Sequence, residues 1–153
     1  MEETRRATAA RIGYRFTVPG KPRGKGRPRF RRAGNFVSTY TPKETAAYEN
    51  LVALEYQAVG GKMIEGPVEV EVLAIYPIPK SAKRQDKEDM LRDEILPSCK
   101  PDADNVLKAV LDGLNGVAYP DDTHVVRAVI DRGYGEVGEL RVNVWHYGGR
   151  FRK

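Results

Sequence analysis

Apolar and polar positions alternate early in the chain. Within RIGYRFTVPG, Ile12, Tyr14, Phe16 and Val18 are separated by smaller or charged residues, which predicts a strand ending at Pro19-Gly20. The next twelve residues, KPRGKGRPRFRR, offer one apolar anchor, Phe30, while Pro22, Gly24, Gly26 and Pro28 break regular structure. NFVSTY resumes a β-like composition. Thr41-Pro42-Lys43-Glu44 then reads as an N-cap, a proline at the first helical position and a capping-box glutamate. They open a helix over about 42–58, with Ala47, Leu51, Leu54 and Ala58 at helical spacing and Gly60-Gly61 as its stop. PVEVEVLAIYPIP starts by alternating valine with glutamate and becomes uniformly apolar, the pattern of a central strand. KSAKRQDKEDMLRDEIL predicts a solvated helix capped by Ser81, with Met90, Leu91 and Ile95 as a thin apolar stripe. In PDADNVLKAVLDGLNG, Ala103, Val106, Leu107, Val110, Leu111 and Leu114 fall within about 140° at roughly 100° per residue, the clearest helix of the chain. VVRAVIDR and ELRVNVWHY, separated by GYGEVG, predict a β-hairpin. The order is about βαβααββ. It predicts a single α+β domain over 11–153, a mixed sheet packed against two or three helices, after a flexible polar tail over 1–10.

Length and charge sharpen this picture. The 153 residues carry 26 Lys+Arg against 21 Asp+Glu, a net charge of +5. Seven of those positives, Lys21, Arg23, Lys25, Arg27, Arg29, Arg31 and Arg32, stand in one acid-free stretch, which leaves 19 basic residues against 21 acidic ones elsewhere. The chain is a mildly acidic body with one basic strip, and such a strip suits a polyanion. Its bland alternative is a solvated arm. No window approaches the ~20 apolar residues of a membrane span, and the charged start lacks a secretory h-region, so a cytoplasmic protein is expected. A lone Cys99 with only His124 and His146 leaves oxygen ligands for any metal.

The candidate chemistry lies in KPDADNVLKAVLDGLN and YPDDTH. Asp104, Lys108 and Asp112 recur at i, i+4, i+8 and form a polar ridge opposite the leucines. A helical Asp102 would lie about 160° from Asp104, so it must be extended, just before the helix, to share a site with it. Asp121 and Asp122 follow in a turn, and a chain returning from the helix to a strand is expected to bring them beside the first pair. Crowded carboxylates without histidine or thiol favour Mg²⁺, or Mn²⁺ in its place. Such an ion generates hydroxide from water at a phosphodiester, and Lys108 is placed to neutralise the developing phosphate charge. Taken singly, each element is ordinary: an N-cap aspartate, an i,i+4 ion pair, a turn after proline.

The run Lys100-Pro101-Asp102-Ala103-Asp104-Asn105-Val106-Leu107-Lys108, then LDGLNGV and Asp121-Asp122, resembles the RusA-like family of Holliday-junction resolvases. VPGKPRGKGRPR and YPIPKS extend the likeness over about 12–147. The resemblance implies a homodimeric, Mg²⁺-dependent endonuclease that nicks four-way DNA junctions in pairs during recombination and repair. It assigns metal binding to Asp102, Asp104 and Asp122, with Asp121 auxiliary, and catalysis to Lys108 together with these acids. Pro120 and His124 depart from the family pattern around the acidic pair. Lys21, Arg23, Lys25, Arg27, Arg29, Arg31 and Arg32 are the expected DNA contacts, and Phe30 either stacks on a base or packs the strip onto the body. The competing expectations are a nuclease of flaps or other branched DNA, and a non-catalytic nucleic-acid-binding protein.

Overall fold

Strand β1 (Gly13–Pro19) follows the predicted alternation in the computed structural model, which describes residues 12–26, 29–40 and 42–153. The expected tail lies outside them, as do Arg27 and Thr41. Phe16 and Val18 are buried, whereas Ile12 precedes the strand and is exposed. A short hairpin comes next, β2 (Arg29–Ala33) and β3 (Phe36–Tyr40), turning at Gly34 with φ +61. This corrects the expectation that the basic strip lacks regular structure throughout. Its breakers all precede Arg29, and from there each residue pairs with β3, Arg29 with Tyr40 through Ala33 with Phe36.

Helix α1 (Lys43–Ala58) falls where its pattern predicts, but on a different face. Thr45, Tyr48, Val52 and Tyr56 are buried, while Ala47, Leu54 and Ala58 are exposed and Leu51 is half-buried. The tyrosines decide the rotation, because each ring removes far more apolar area from water than an alanine does. Tyr56 meets Tyr14 and Phe16 edge-on at 5.3 and 5.6 Å between ring centroids, and its hydroxyl donates to the Lys62 carbonyl. Pro42 stands at the N-cap and no side chain caps the helix.

The central position of β4 (Val68–Pro77) is as expected: the four-stranded sheet runs β1-β6-β4-β5. Its Val68, Val70, Val72, Ala74 and Tyr76 join the core. The remaining strands, β5 (Val125–Gly135) and β6 (Glu139–His146), do not form the expected hairpin. β5 runs parallel to β4 and β6 antiparallel to it, so β4 separates them. The most apolar strand takes the middle of the sheet. Residues 136–138 then cross two strand spacings, about 9.6 Å. Helix α2 (Arg84–Leu91) is short, capped at Lys83 rather than Ser81, and only Met90 of its predicted stripe is buried. Ile95 lies past its end.

Helix α3 (Ala103–Leu114) buries Val106, Ala109, Val110, Gly113 and Leu114, with Leu107 and Leu111 packed against the core. Gly113 marks its crossing with α1. A Cβ there would lie 2.8 Å from the Glu49 carbonyl oxygen and 3.0 Å from Val52 Cβ. Gly113→Val is therefore expected to cost about 1–3 kcal/mol by urea unfolding, despite a better helix propensity; an unchanged midpoint would contradict this crossing. The result is an α+β domain with a mixed sheet and three helices among the described residues. None of those helices is long and apolar enough to cross a membrane.

Candidate active site and nucleic-acid interface

The approach to α3 is held from the sheet. Tyr76, near the end of β4, donates its hydroxyl to the Pro101 carbonyl at 2.5 Å. Arg132, on β5, donates to the carbonyls of Cys99 and Pro101 at 2.8 and 3.2 Å and lies 5.5 Å from the Tyr76 ring centroid. The Lys100-Pro101 peptide is cis. Asp102 then occupies the N-cap with extended backbone, φ −74 and ψ 167, the conformation required for it to share a site with Asp104.

The Asp102 carboxylate does not cap the helix; it accepts hydrogen bonds from Asn105 Nδ2 and, at 3.3 Å, from Lys100 Nζ. Desolvation opposes its ionisation, but the bonds from Lys100 and Asn105 outweigh it and hold the carboxyl below the usual range. Asp104 is exposed one turn before Lys108, whose side chain is 62% exposed. Lys108 Nζ stands 3.9 Å from Asp112 Oδ2, a loose form of the expected i,i+4 pair. Lys25 holds that same oxygen more closely, at 3.2 Å, and also bonds Glu49 of α1. Desolvation of Lys25 is outweighed by these two carboxylates, which raise its pKa. Asp112 is thus neutralised from the strip, leaving the Lys108 ammonium open to a phosphate.

The first half of the basic strip is seated against this ridge. Lys25 N–H donates to the Asn105 carbonyl at 2.9 Å and Gly26 N–H to Thr45 Oγ1 at 3.0 Å. Gly24 sits so close to α3 that a Cβ would lie 2.8 Å from Pro101 Cβ and 3.0 Å from Asn105 Cβ. A cleft of about 460 Å³ opens beside it, with Lys21, Arg23, Glu44, Thr45 and Pro101 among its lining residues. The solvated-arm expectation fails for Lys21–Gly26. Further on, Phe30 is 75% exposed, so it does not pack the strip onto the body. Arg31 and Arg32 are exposed on β2; the side chain of Arg29 lies outside the described atoms.

The second acidic pair is elsewhere. Asp121 caps the 3₁₀ turn Asp122–His124, accepting from Thr123 N–H at 3.2 Å and Thr123 Oγ1 at 2.7 Å, and these bonds lower its pKa. Asp122 is exposed. Both lie near buried Tyr119, whose hydroxyl donates to the Leu111 carbonyl at 2.6 Å and whose pKa is raised by burial and then by the charges of Asp122, Asp112 and Asp121. Asp121 and Asp122 therefore lie beyond the C-terminal end of α3, and Asp102 and Asp104 at its N-terminal end. The helix between them is twelve residues, about 18 Å long. The expected meeting of the two pairs is not seen among the described residues. Among the described residues, no three acidic, histidine or cysteine side chains converge closely enough to hold an ion.

Several contributors escape sequence reading. Lys25 looks like any other cation of the strip, and nothing in their local patterns marks Tyr76 or Arg132 as supports for Asp102. His124, one of the departures from the family pattern, packs edge-on against Phe151 at 5.0 Å.

Carboxylates at the N-terminal end of α3 thus stand beside a seated basic segment. Residues 19–145, which hold the ridge, the seated segment and most of the sheet, match the family described as endodeoxyribonuclease RusA. The chain belongs to that family. It is also similar to the uncharacterized protein YqaN of Bacillus subtilis (strain 168), 36% identical over 133 residues, 85% of this chain and 92% of that relative.

Proposed function

We propose that the protein is a Mg²⁺-dependent homodimeric endonuclease that resolves four-way DNA junctions by paired symmetric nicks, in recombination and repair. The observation that supports this reading is the seating of the basic segment Lys21–Gly26 against the N-terminal half of α3, through Lys25 N–H on the Asn105 carbonyl and Gly24 against Pro101 and Asn105. A labelled four-way junction, flap, duplex and single strand, each with and without Mg²⁺, test it. Symmetric Mg²⁺-dependent nicks in the junction alone are expected. Flap cutting would move the substrate to other branched DNA, and gel shifts without cutting would leave a binding protein.

The donor set fits a hard cation: Asp102 keeps its carboxylate clear of the helix cap, and Asp104 and Asp122 are exposed. Asp102 and Asp104 would hold the ion from one side. The separation along α3 supports a partner chain supplying the other: a two-fold axis that sets two α3 helices antiparallel brings the 121–122 pair of each chain to the 102–104 pair of its mate. Asp122 is the ligand in this arrangement, as the family resemblance assigns it, and Asp121, whose Oδ2 accepts from Thr123, is auxiliary. When bound, the cation supplies an acidified water and neutralises phosphate charge. Hydrolysis forms a P–O bond to water and breaks the P–O bond to one sugar oxygen, which takes up a proton from solvent as the water gives one up, and Lys108 would stabilise the charge gathering on the non-bridging oxygens.

Tyr76 and Arg132 are positioning residues for Asp102. Arg132→Ala is expected to raise the Mg²⁺ concentration for half-maximal cleavage by about tenfold, with Arg132→Lys recovering part of it. A fall in rate with unchanged Mg²⁺ dependence would assign Arg132 to the fold alone.

A further inference from the structure

We infer that the β2–β3 hairpin is a two-sided wedge for unstacked nucleobases at the branch point of the DNA, an inference that rests on the proposed junction substrate. The ribbon forms its own two-stranded sheet, separate from the main one. Three large apolar side chains stand out from it, Phe30 at 75%, Phe36 at 81% and Val37 at 64% exposure. Isolated two-stranded ribbons gain little stability in water, so apolar groups held in the open on one mark a surface awaiting a partner.

The register gives the ribbon two alike faces. Arg32 pairs with Val37 and Phe30 lies two residues from Arg32, so all three share one face; Arg31 and Phe36 belong to the other. Each face thus carries a phenylalanine with an arginine, and the sequence from Lys21 through Lys43 contains no acid. A protein partner for such a ribbon needs apolar pockets ringed by carboxylates on two opposing walls. An opened DNA branch presents this chemistry without special design: a flat apolar base face on either side, with phosphates at its margins. A two-stranded ribbon also has the width that a DNA groove admits.

Position agrees with this occupant. The chain enters the ribbon three residues after Gly26, which is fixed to Thr45 at 3.0 Å, so the root of the wedge lies at the seam of α1 and α3. Five residues per strand give it a reach of about 17 Å from that root. Phe30 stands near the root and Phe36 at the turn, so base contacts are distributed along its length.

The test uses the full-length protein in EDTA with a four-way junction carrying 2-aminopurine at the branch point. Binding of the wild type is expected to raise the fluorescence as the base unstacks. The variant Phe30→Ala/Phe36→Ala is expected to lose the rise and bind the junction about tenfold more weakly, with duplex affinity within about twofold of wild type. Phe30→Tyr/Phe36→Tyr, which keeps the rings, is expected to retain the rise. A full rise in the alanine variant overturns the wedge, as does a drop in its light-scattering mass, which would make the ribbon a contact between copies. Wild-type protein that neither binds the junction in EDTA nor cuts it in Mg²⁺ overturns the substrate reading instead; cutting in Mg²⁺ without unstacking in EDTA overturns the wedge alone.

Discussion

Asp104→Asn is expected to abolish junction cleavage in Mg²⁺, by at least about a thousandfold, while junction binding in EDTA stays within about twofold of wild type. The change preserves shape and removes the charge that makes this oxygen a cation ligand. Asp104 is exposed, so its loss leaves no buried group unpaired. Asp122→Asn is expected to behave alike. The two variants become most informative together. If each site draws Asp104 from one chain and Asp122 from its mate, a mixed dimer of the variants holds one site with both defects and one intact. Co-refolding equal amounts of two inactive proteins should restore about a quarter of the wild-type sites. The restored product is a single nick, because the second site of each mixed dimer stays dead. A mixture that remains inactive would place each complete site within one chain, and persistent cleavage by Asp104→Asn alone would remove Asp104 from the chemistry.

Replacing Arg27, Arg29 and Arg31 with alanine is expected to weaken DNA binding and flatten its salt dependence. Every phosphate that an arginine no longer neutralises takes about 0.9 from the slope of log affinity against log salt, so the three together take about 2.7. Lys25 provides the internal contrast. With its ammonium engaged by Glu49 and Asp112, Lys25→Ala should loosen the seat of the strip more than it changes the slope. An unchanged slope in the triple variant would show that the strip is not the DNA surface.

The parts of this fold legible in the sequence are those whose burial is carried by aliphatic residues. α3 and β4 declare themselves through valine and leucine, and their lengths and buried faces follow. α1 is legible as a helix but not in its orientation, because Tyr48 and Tyr56 carry a hydroxyl and look half polar while burying large rings. The hairpin expected of β5 and β6 fails because strand pairing is non-local: residues 68–77 claim the place between two strands adjacent in sequence. The extended backbone at Asp102 follows from the geometry of a two-residue spacing. The acidic pairs are a subtler matter. A helix of twelve residues is a rigid spacer, and the same periodicity that reveals α3 also holds its two flanking pairs apart.

Among the described residues, the last strand in chain order binds the first. β6 is hydrogen-bonded to β1 on one side and to β4 on the other, so no fragment ending before Glu139 can join its N-terminal strand to the rest of the sheet. Pairings this distant in sequence slow folding relative to a helical bundle of similar size. During synthesis the basic strip emerges long before the frame that seats it against α3. On the proposed function, a ribosome-bound chain can touch nucleic acid early, yet the frame of its site is complete only once residues 139–146 are free to close the sheet.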